Sequence, residues 1–344
     1  MPENAMPENA VSETAMPGNS MPGNGMAGTA MAGTAVPGTA VPGTAVSGTA
    51  VPGSVMSGNV VRAEVLAAVP TFFDDAGDLD LATTKAYLAA LAPRVDGVFV
   101  CGTTGEFPAL ERAERHTLAE EALAVFGPGR VVVHVGAAAT RESVALTKDA
   151  VALGARRLAA LTPYYLPADT GAVLRHFDAV VRAAGPAAAV YGYLFGERTG
   201  VHVEPAELAA ATGLSGAKLS GRAADRFAEY AAALPPGKRL WSGSDTRLAA
   251  VVLGGGTGVV SGLSAAFPEP FTRLADAVAA GDTAAERDAQ ADVDEVLDTL
   301  GGTVEGIKLA LRHLGHGTGE LRMPTSDITP EQRSRIAGLA ATRG

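Results

Sequence analysis

From residue 61 onward, short apolar runs rich in β-branched residues alternate with longer, alanine-rich stretches in which apolar residues recur every three or four positions. Short runs of this kind are typical of strands that are covered on both faces of a sheet. The longer stretches have the period of amphipathic helices. The pattern predicts eight strands, at Val65–Val69, Gly97–Cys101, Val131–Val135, Arg157–Leu161, Ala188–Tyr193, Ser215–Lys218, Arg239–Trp241 and Gly258–Val260.

Helical patterns fill the intervals between these strands, at Leu81–Pro93, Ala109–Phe126, Glu142–Leu153, Gly171–Ala184, Ala206–Ala211, Ala223–Leu234 and Thr246–Leu253. Because strands and helices alternate, the strands are expected to run parallel, joined by helical crossovers. Eight such units in about 200 residues predict a closed (β/α)8 TIM barrel over residues 61–267. Three more helical stretches, near 270–280, 283–300 and 304–314, predict a C-terminal helical extension at 268–344.

Residues 1–60 have a different character, because they read as twelve pentads such as MPENA, MAGTA and VPGTA. The segment has no aromatic residue, Lys or Arg, and glutamates are its only charges. Such a chain cannot bury enough apolar surface to offset an ordering entropy of about 1–2 kcal/mol per residue. We therefore predict a disordered, low-complexity N-terminal tail. The alternative is that translation starts at Met56, which the intact mass of the native protein would reveal.

The charge balance and the single cysteine exclude several classes of protein. The 344 residues include 37 acidic and 27 basic side chains, a net charge of −10, which argues against a nucleic-acid surface. The longest uncharged apolar stretch, Pro186–Phe195, spans about half a membrane. Cys101 alone can form neither a disulfide framework nor a four-cysteine zinc site, and no metal site is predicted. We expect a cytoplasmic protein that binds neither nucleic acid nor membrane.

Candidate chemistry lies at the strand ends, because a TIM barrel places its active site where strands end and βα loops begin. Hydroxyl groups, phenols, one lysine and one arginine are predicted to converge on that face. The segments that follow the strands are Gly102–Glu106, Thr162–Tyr165, Tyr193 to Arg198, Lys218 and Ser242–Asp245.

Lys218 ends an apolar strand, which predicts that its amine lies inside the barrel. Attack on a carbonyl requires the neutral amine, and removal from water favours the neutral form of a lysine. Lys218 is therefore a candidate Schiff-base nucleophile, the alternative being a lysine that extends to solvent from a strand end. Arg198 offers a planar fork for a carboxylate, unless it is an ordinary loop arginine.

The hydroxyl groups could serve this lysine. Thr103 and Thr104, in a turn flanked by glycines, could bind a carboxylate with their hydroxyls and backbone N–H groups, although such a turn can also be purely structural. Tyr193 could pass protons to a carbinolamine, and Tyr164 or Tyr165 could extend that relay.

These motifs together resemble those of the dihydrodipicolinate synthase and N-acetylneuraminate lyase family of pyruvate-dependent class I aldolases. The resemblance covers about residues 62 to 330. It rests on Gly102-Thr103-Thr104-Gly105-Glu106, Thr162-Pro163-Tyr164-Tyr165, Arg198-Thr199-Gly200, Gly216-Ala217-Lys218, Ser242-Gly243-Ser244-Asp245, Gly258-Val259-Val260-Ser261-Gly262 and Arg322-Met323-Pro324.

The resemblance implies that Lys218 forms the Schiff base with pyruvate and that Thr104 binds the pyruvate carboxylate. It also implies a catalytic proton relay of Tyr193, Thr103 and Tyr165, with Tyr165 reaching in from a neighbouring subunit. The chain departs from the family's Tyr-Asn-x-Pro at Tyr193-Leu194-Phe195-Gly196. Tyr191 is therefore an alternative for the catalytic phenol.

The resemblance further implies that the backbone carbonyls of Gly243 and Val260 line the site, and that Arg198 holds the carboxylate of aspartate semialdehyde. The implied reaction is a 4-hydroxy-tetrahydrodipicolinate synthase-like condensation by a homotetramer, a dimer of dimers. No cofactor is implied, because the lysine itself is the electron sink. The alternatives are a sugar-acid aldolase of the N-acetylneuraminate or 2-keto-3-deoxy acid type, and a non-catalytic barrel that binds keto acids.

Overall fold

The computed structural model describes residues 61–344, so the predicted disordered tail at 1–60 lies outside the described residues. The strands are β1 Glu64–Ala68, β2 Gly97–Val100, β3 Val131–His134, β4 Arg157–Leu161, β5 Ala189–Leu194, β6 Gly216–Leu219, β7 Arg239–Ser242 and β8 Gly258–Ser261. Each pairs in parallel with the next, and β1 pairs with β8 to close the barrel. The predicted TIM barrel is confirmed, with every strand within one residue of its predicted ends.

Helices connect the strands and continue beyond β8, as predicted. They are α1 Leu81–Leu91, α2 Arg112–Phe126, α3 Thr140–Ala152, α4 Thr170–Ala184, α5 Gly196–Thr199, α6 Pro205–Ala210, α7 Arg222–Asp225, α8 Phe227–Ala233, α9 Leu248–Leu253, α10 Leu263–Ala266, α11 Pro268–Ala280, α12 Thr283–Leu300, α13 Val304–His313 and α14 Pro330–Arg343. Short 3₁₀ helices lie at Phe107–Ala109 and Gly185–Ala187. Among residues 61–344, no helix is both long and apolar enough to cross a bilayer.

Two of the predicted helices differ substantially from the structure, and helices α5, α10 and α14 were not predicted. Helix α2 begins at Arg112 rather than at Ala109, because Glu111 and Glu114 form a reciprocal capping box with the backbone there. The helix predicted over Ala223–Leu234 is two helices, since Arg226 leaves the helical conformation between α7 and α8. Helix α14 was not predicted, although Thr329-Pro330 is a capping residue followed by proline at the first helical position.

The barrel interior is filled by side chains that point inward from alternate positions of the strands. Its buried cluster contains Leu66, Ala68, Phe99, Phe107, Val132, Ala159, Leu161, Tyr191, Tyr193, Trp241 and Val260. Strands pack tightly against each other where glycine begins a strand. A Cβ on Gly216 would come within 1.7 Å of the Arg239 carbonyl oxygen, at a φ of 146° that favours glycine. Packed side chains therefore fill the inside of the barrel, so the barrel has no open channel through it.

A charged cluster closes the amino end of the barrel. The Glu64 carboxylate accepts two hydrogen bonds from Arg157, at 2.8 and 2.9 Å, and one from Arg239 at 2.9 Å. The indole N–H of Trp241 donates to the same carboxylate at 2.9 Å. Since this end of a TIM barrel serves stability, the chemistry is expected at the opposite, carboxyl end.

Candidate active site

A cavity of about 600 Å³ opens at the carboxyl ends of the strands. Seven of the eight predicted site residues line it: Lys218, Tyr193, Thr103, Thr104, Arg198, Gly243 and Val260. The barrel thus brings together side chains from β2, β5, β6, β7, β8 and their loops. The eighth, Tyr165, does not line this cavity, but its neighbour Tyr164 does.

Lys218 lies on β6 directly beside Tyr193 on β5, because the register of the two strands pairs these residues. The lysine is only 8% exposed. Its Nζ lies 4.0 Å from the centre of the Tyr193 ring and 5.0 Å from the centre of the Phe99 ring. No carboxylate in residues 61–344 forms an ion pair with this amine. The Lys218 amine therefore lies inside the barrel, beside two aromatic rings.

The Tyr193 hydroxyl lies 3.1 Å from the Thr103 Oγ1, and either oxygen can donate. Burial raises the pKa of Tyr193, but the charge of Lys218 and hydrogen bonds to Thr103, Lys218 and Ser220 outweigh it, so the pKa lies below its usual value. Tyr191 also points into the barrel, but it does not line the cavity, and its ring packs edge-on against Trp241 at 4.8 Å between centres. The geometry therefore favours Tyr193 over Tyr191 as the reacting phenol.

Tyr193→Phe is expected to lower kcat about 10²–10³-fold, because it removes a proton donor from the amine's side of the cavity. Tyr191→Phe is the matched control, since it removes the neighbouring phenol of the same strand, and its kcat should stay within about threefold of wild type. Steady-state kinetics measure both. A larger loss in the Tyr191 variant would reassign the relay.

Backbone strain is concentrated around this cavity. Three residues other than glycine have positive φ values in residues 61–344: Cys101 at 54°, Glu106 at 53° and Tyr165 at 80°. All three follow β2 or β4, and such conformations occur where the surroundings hold them in place. Burial raises the pKa of the Cys101 thiol to about 11, so it remains protonated and unreactive at neutral pH.

A buried ion pair holds the segment that carries Thr103 and Thr104 in place. Lys308 of α13 donates to the Glu106 carboxylate at 2.5 Å, and both side chains are only 2% exposed. The other carboxylate oxygen accepts the backbone N–H groups of Arg322 and Met323, each at 2.9 Å. The Glu106 carboxylate thus joins the threonine loop to the C-terminal extension.

The C-terminal extension also forms one wall of the cavity, which the sequence did not predict. Its lining residues come from two segments, 302–307 and 321–326. The second contains the Arg322-Met323-Pro324 motif, and the Arg322 guanidinium binds both oxygens of Glu114, at 2.7 Å each. The motif therefore fixes the cavity wall to α2 through the Arg322–Glu114 ion pair. The spacing of residues along the sequence could not reveal this role.

Arg198 lies at the mouth of the cavity with its guanidinium 5.8 Å from the centre of the Phe195 ring. Within residues 61–344 its side chain forms no hydrogen bond or ion pair, and it is exposed. The turn that carries it is fixed by Thr199, whose hydroxyl accepts a hydrogen bond from Thr162 at 3.1 Å. The guanidinium is therefore available to an anionic ligand.

Asp245 is a cavity residue that the sequence analysis quoted in a motif but did not assign. Its Oδ1 is buried and has no hydrogen-bond partner. Burial raises the pKa of Asp245 to about 6, although a hydrogen bond from Ser261 and the charge of Lys218 act in the opposite direction. Its position directly after β7 was the signal that could have found it.

Asp245→Asn is expected to stabilise the protein more at pH 8 than at pH 4.5, by about 2 kcal/mol. The folded pKa of about 6 lies above the ordinary value of 3.8, so the folded state binds the proton more tightly. The wild type therefore loses stability as the pH rises from about 4 to about 7, and asparagine does not. Urea unfolding at the two pH values measures this, and equal gains at both would contradict it.

No group of three or more His, Cys, Asp or Glu side chains in the described part of the chain is arranged to hold a metal ion. Residues 62–342 match the sequence model of the Dihydrodipicolinate synthetase family. The chain belongs to this family. An uncharacterised DapA-like lyase of Halobacterium salinarum is 33% identical over 287 residues, which cover 81% of this chain and 93% of that protein.

Proteins with different named activities resemble this chain in sequence or in fold. A 4-hydroxy-tetrahydrodipicolinate synthase of Exiguobacterium sibiricum is 32% identical over 263 residues, covering 75% of this chain and 89% of that enzyme. The sialic acid aldolase of Ruminococcus gnavus has the same fold, with a TM-score of 0.74 and 22% identity over 81% of this chain and 96% of that one. This member of the dihydrodipicolinate synthetase family is a class I carbon–carbon lyase.

Proposed function

We propose that this protein forms a Schiff base between Lys218 and pyruvate and adds the resulting enamine to an aldehyde, with aspartate semialdehyde as the preferred partner. The observation that carries the proposal is the placement of the Lys218 amine. It is buried, has no carboxylate partner in residues 61–344, and lies 4.0 Å from the ring of a tyrosine that is hydrogen-bonded to Thr103.

The amine attacks the ketone carbon of pyruvate and forms a carbinolamine. Tyr193 donates the proton with which the hydroxyl leaves as water, and the Thr103 hydroxyl stabilises the phenolate that remains by donating a hydrogen bond to it. Thr104 holds the pyruvate carboxylate with its hydroxyl and the backbone N–H groups of its turn. The product of this step is the imine on Lys218.

The Tyr193 phenolate takes a proton from the methyl carbon of the imine, which gives an enamine. The enamine carbon then attacks the aldehyde. A new carbon–carbon bond forms, and the aldehyde oxygen takes a proton from the Tyr193–Thr103 pair. With aspartate semialdehyde, the amine of the substrate then displaces Lys218 and closes a ring. Gly243 and Val260 line the cavity in which these steps occur.

Borohydride reduction in the presence of pyruvate tests the proposal, because it converts the imine into a stable secondary amine. Peptide mass spectrometry should find a three-carbon adduct on Lys218. An unmodified Lys218 with pyruvate shown to bind would contradict the mechanism and support a barrel that binds keto acids without reacting.

Arg198→Gln is expected to raise the KM for aspartate semialdehyde about 10–100-fold, because it removes a charged fork from the substrate carboxylate. The KM for pyruvate should change by less than about threefold, since Thr104 and its turn bind that carboxylate. Arg182→Gln, on the last turn of α4, controls for loss of a positive charge. An equal rise in both KM values would show that Arg198 does not select the aldehyde.

A sugar-acid aldolase is the second candidate, and Asp245 favours it. Its free, buried oxygen could accept a hydrogen bond from a substrate hydroxyl, which aspartate semialdehyde lacks. A panel of aldehydes offered with pyruvate, containing the semialdehyde and several polyhydroxy aldehydes, separates the two reactions by their kcat/KM values.

We further propose that this protein forms a dimer of dimers. In it, a second copy of the chain covers the loop after β4, and Tyr165 of each subunit enters the cavity of its neighbour. Tyr165 is 91% exposed and strained, and Leu166 beside it is also exposed. Sedimentation velocity gives the subunit number, and a fully active monomer would contradict this arrangement.

A further inference from the structure

His134 is a buried histidine beside the cavity that the mechanism above does not use. It lies on β3, is 1% exposed, and points into the barrel. Its ring contacts the edge or face of three aromatic rings, with centres 4.6 Å from Phe107, 5.9 Å from Tyr193 and 6.1 Å from Phe99. A residue in this position can influence the phenol without touching the substrate.

The tautomer of His134 follows from its contacts. Nδ1 lies 2.8 Å from the carbonyl oxygen of Cys101, so it carries the hydrogen and donates. Nε2 is buried without a partner and lies against Gly136, where an added Cβ would approach it to 2.5 Å. The glycine thus leaves room for the imidazole.

The ring is neutral because it is buried and because positive groups lie near it. Burial and the nearby Arg115 guanidinium hold the pKa of His134 well below its usual value, and Lys218 adds to this effect. Arg115, from α2, donates to the carbonyl oxygens of His134 at 2.6 Å and Gly136 at 3.1 Å. The histidine is therefore a fixed hydrogen-bond donor in a rigid strand.

The acceptor of this hydrogen bond is a strained residue. Cys101 has a φ of 54°, which is uncommon outside glycine, and it turns β2 into the loop that carries Thr103. Two residues further on, Thr103 reaches the Tyr193 hydroxyl at 3.1 Å. Loss of the donor would let this turn relax and separate Thr103 from the phenol.

We propose that His134 is a positioning residue, which holds the Cys101 carbonyl and thereby keeps Thr103 within hydrogen-bond distance of Tyr193. The inference rests on the proposed Schiff-base function. It predicts that the N–H group, rather than the bulk of the ring, is required for rapid proton transfer.

Two variants separate the donor from the ring. In His134→Asn the amide nitrogen can occupy the place of Nδ1 and donate to the same carbonyl, while His134→Phe keeps a ring and loses the donor. The rate of Schiff-base formation is measured by quenching with borohydride at successive times after adding pyruvate. We expect the Phe variant to be slower by about tenfold or more, and the Asn variant to stay within about threefold of wild type.

The pyruvate Kd and the thermal midpoint of each variant are controls for binding and packing. If the Phe variant does not fold, His134→Leu provides the same loss of the donor. Equal slowing in the donor-free and Asn variants, or slowing in the Asn variant alone, would overturn the inference while leaving the proposed function intact. Wild-type protein that forms no adduct would instead overturn the proposed function, and with it the role of His134.

Discussion

Lys218→Met is expected to abolish the borohydride-trapped pyruvate adduct and to lower kcat by at least about 10⁴-fold. Methionine keeps the length and apolar stem of the side chain but has no amine to form the imine. Because the cavity offers no second buried amine beside Tyr193 among its lining residues, no other side chain can take over this step. Peptide mass spectrometry and steady-state kinetics measure the two effects.

The matched control is Lys148→Met, which removes an exposed lysine on α3 and should leave both adduct and kcat unchanged. Substantial activity in the Lys218 variant would contradict the mechanism. A wild-type protein that binds pyruvate but shows no turnover on any aldehyde would favour the non-catalytic alternative.

Lys308→Met is expected to lower the free energy of unfolding by about 3–5 kcal/mol, because it leaves the Glu106 carboxylate buried without its cation. The ammonium bridges the carboxylate and the carbonyl oxygen of Glu320, at 2.5 Å each, so its loss also frees the C-terminal segment. Burial lowers the pKa of Lys308, while the carboxylate of Glu106 opposes this effect. Urea unfolding at neutral pH measures the loss.

The double variant Glu106→Gln with Lys308→Met separates lost charge pairing from lost packing. It removes both charges, so it should be more stable than Lys308→Met alone even though it carries one more substitution. A double variant as unstable as the sum of the two single variants would contradict a coupled pair. Exposed Lys148→Met again serves as the control, with a change within about 0.5 kcal/mol.

The Glu106–Lys308 ion pair explains why two motifs that are far apart in sequence, the threonine loop and Arg322-Met323-Pro324, lie at one site. Glu106 and Lys308 are 202 residues apart, yet their contact places the C-terminal segment against the threonine loop. We expect a variant of this pair to lose affinity for pyruvate as well as stability, since Thr104 lies two residues from Glu106.

The pattern of apolar and polar residues by itself determined the eight strands, their parallel order and the nature of the residues at their ends. Strand and helix periods are local properties of the chain, so each can be recognised within about a dozen residues. TIM barrels place their active sites where the strands end and the βα loops begin, which predicted that Lys218, Thr103 and Arg198 would lie together. These three residues do line one cavity.

Only the tertiary structure decided which groups face each other inside that cavity. The choice of Tyr193 over Tyr191 depends on the register of β5 with β6 and on the position of Trp241. The roles of Asp245 and His134 depend on burial and on partners that lie far away in sequence. Contacts between side chains far apart in sequence form only when the barrel closes. A pattern along the chain carries no information on which side chains approach within a few ångströms.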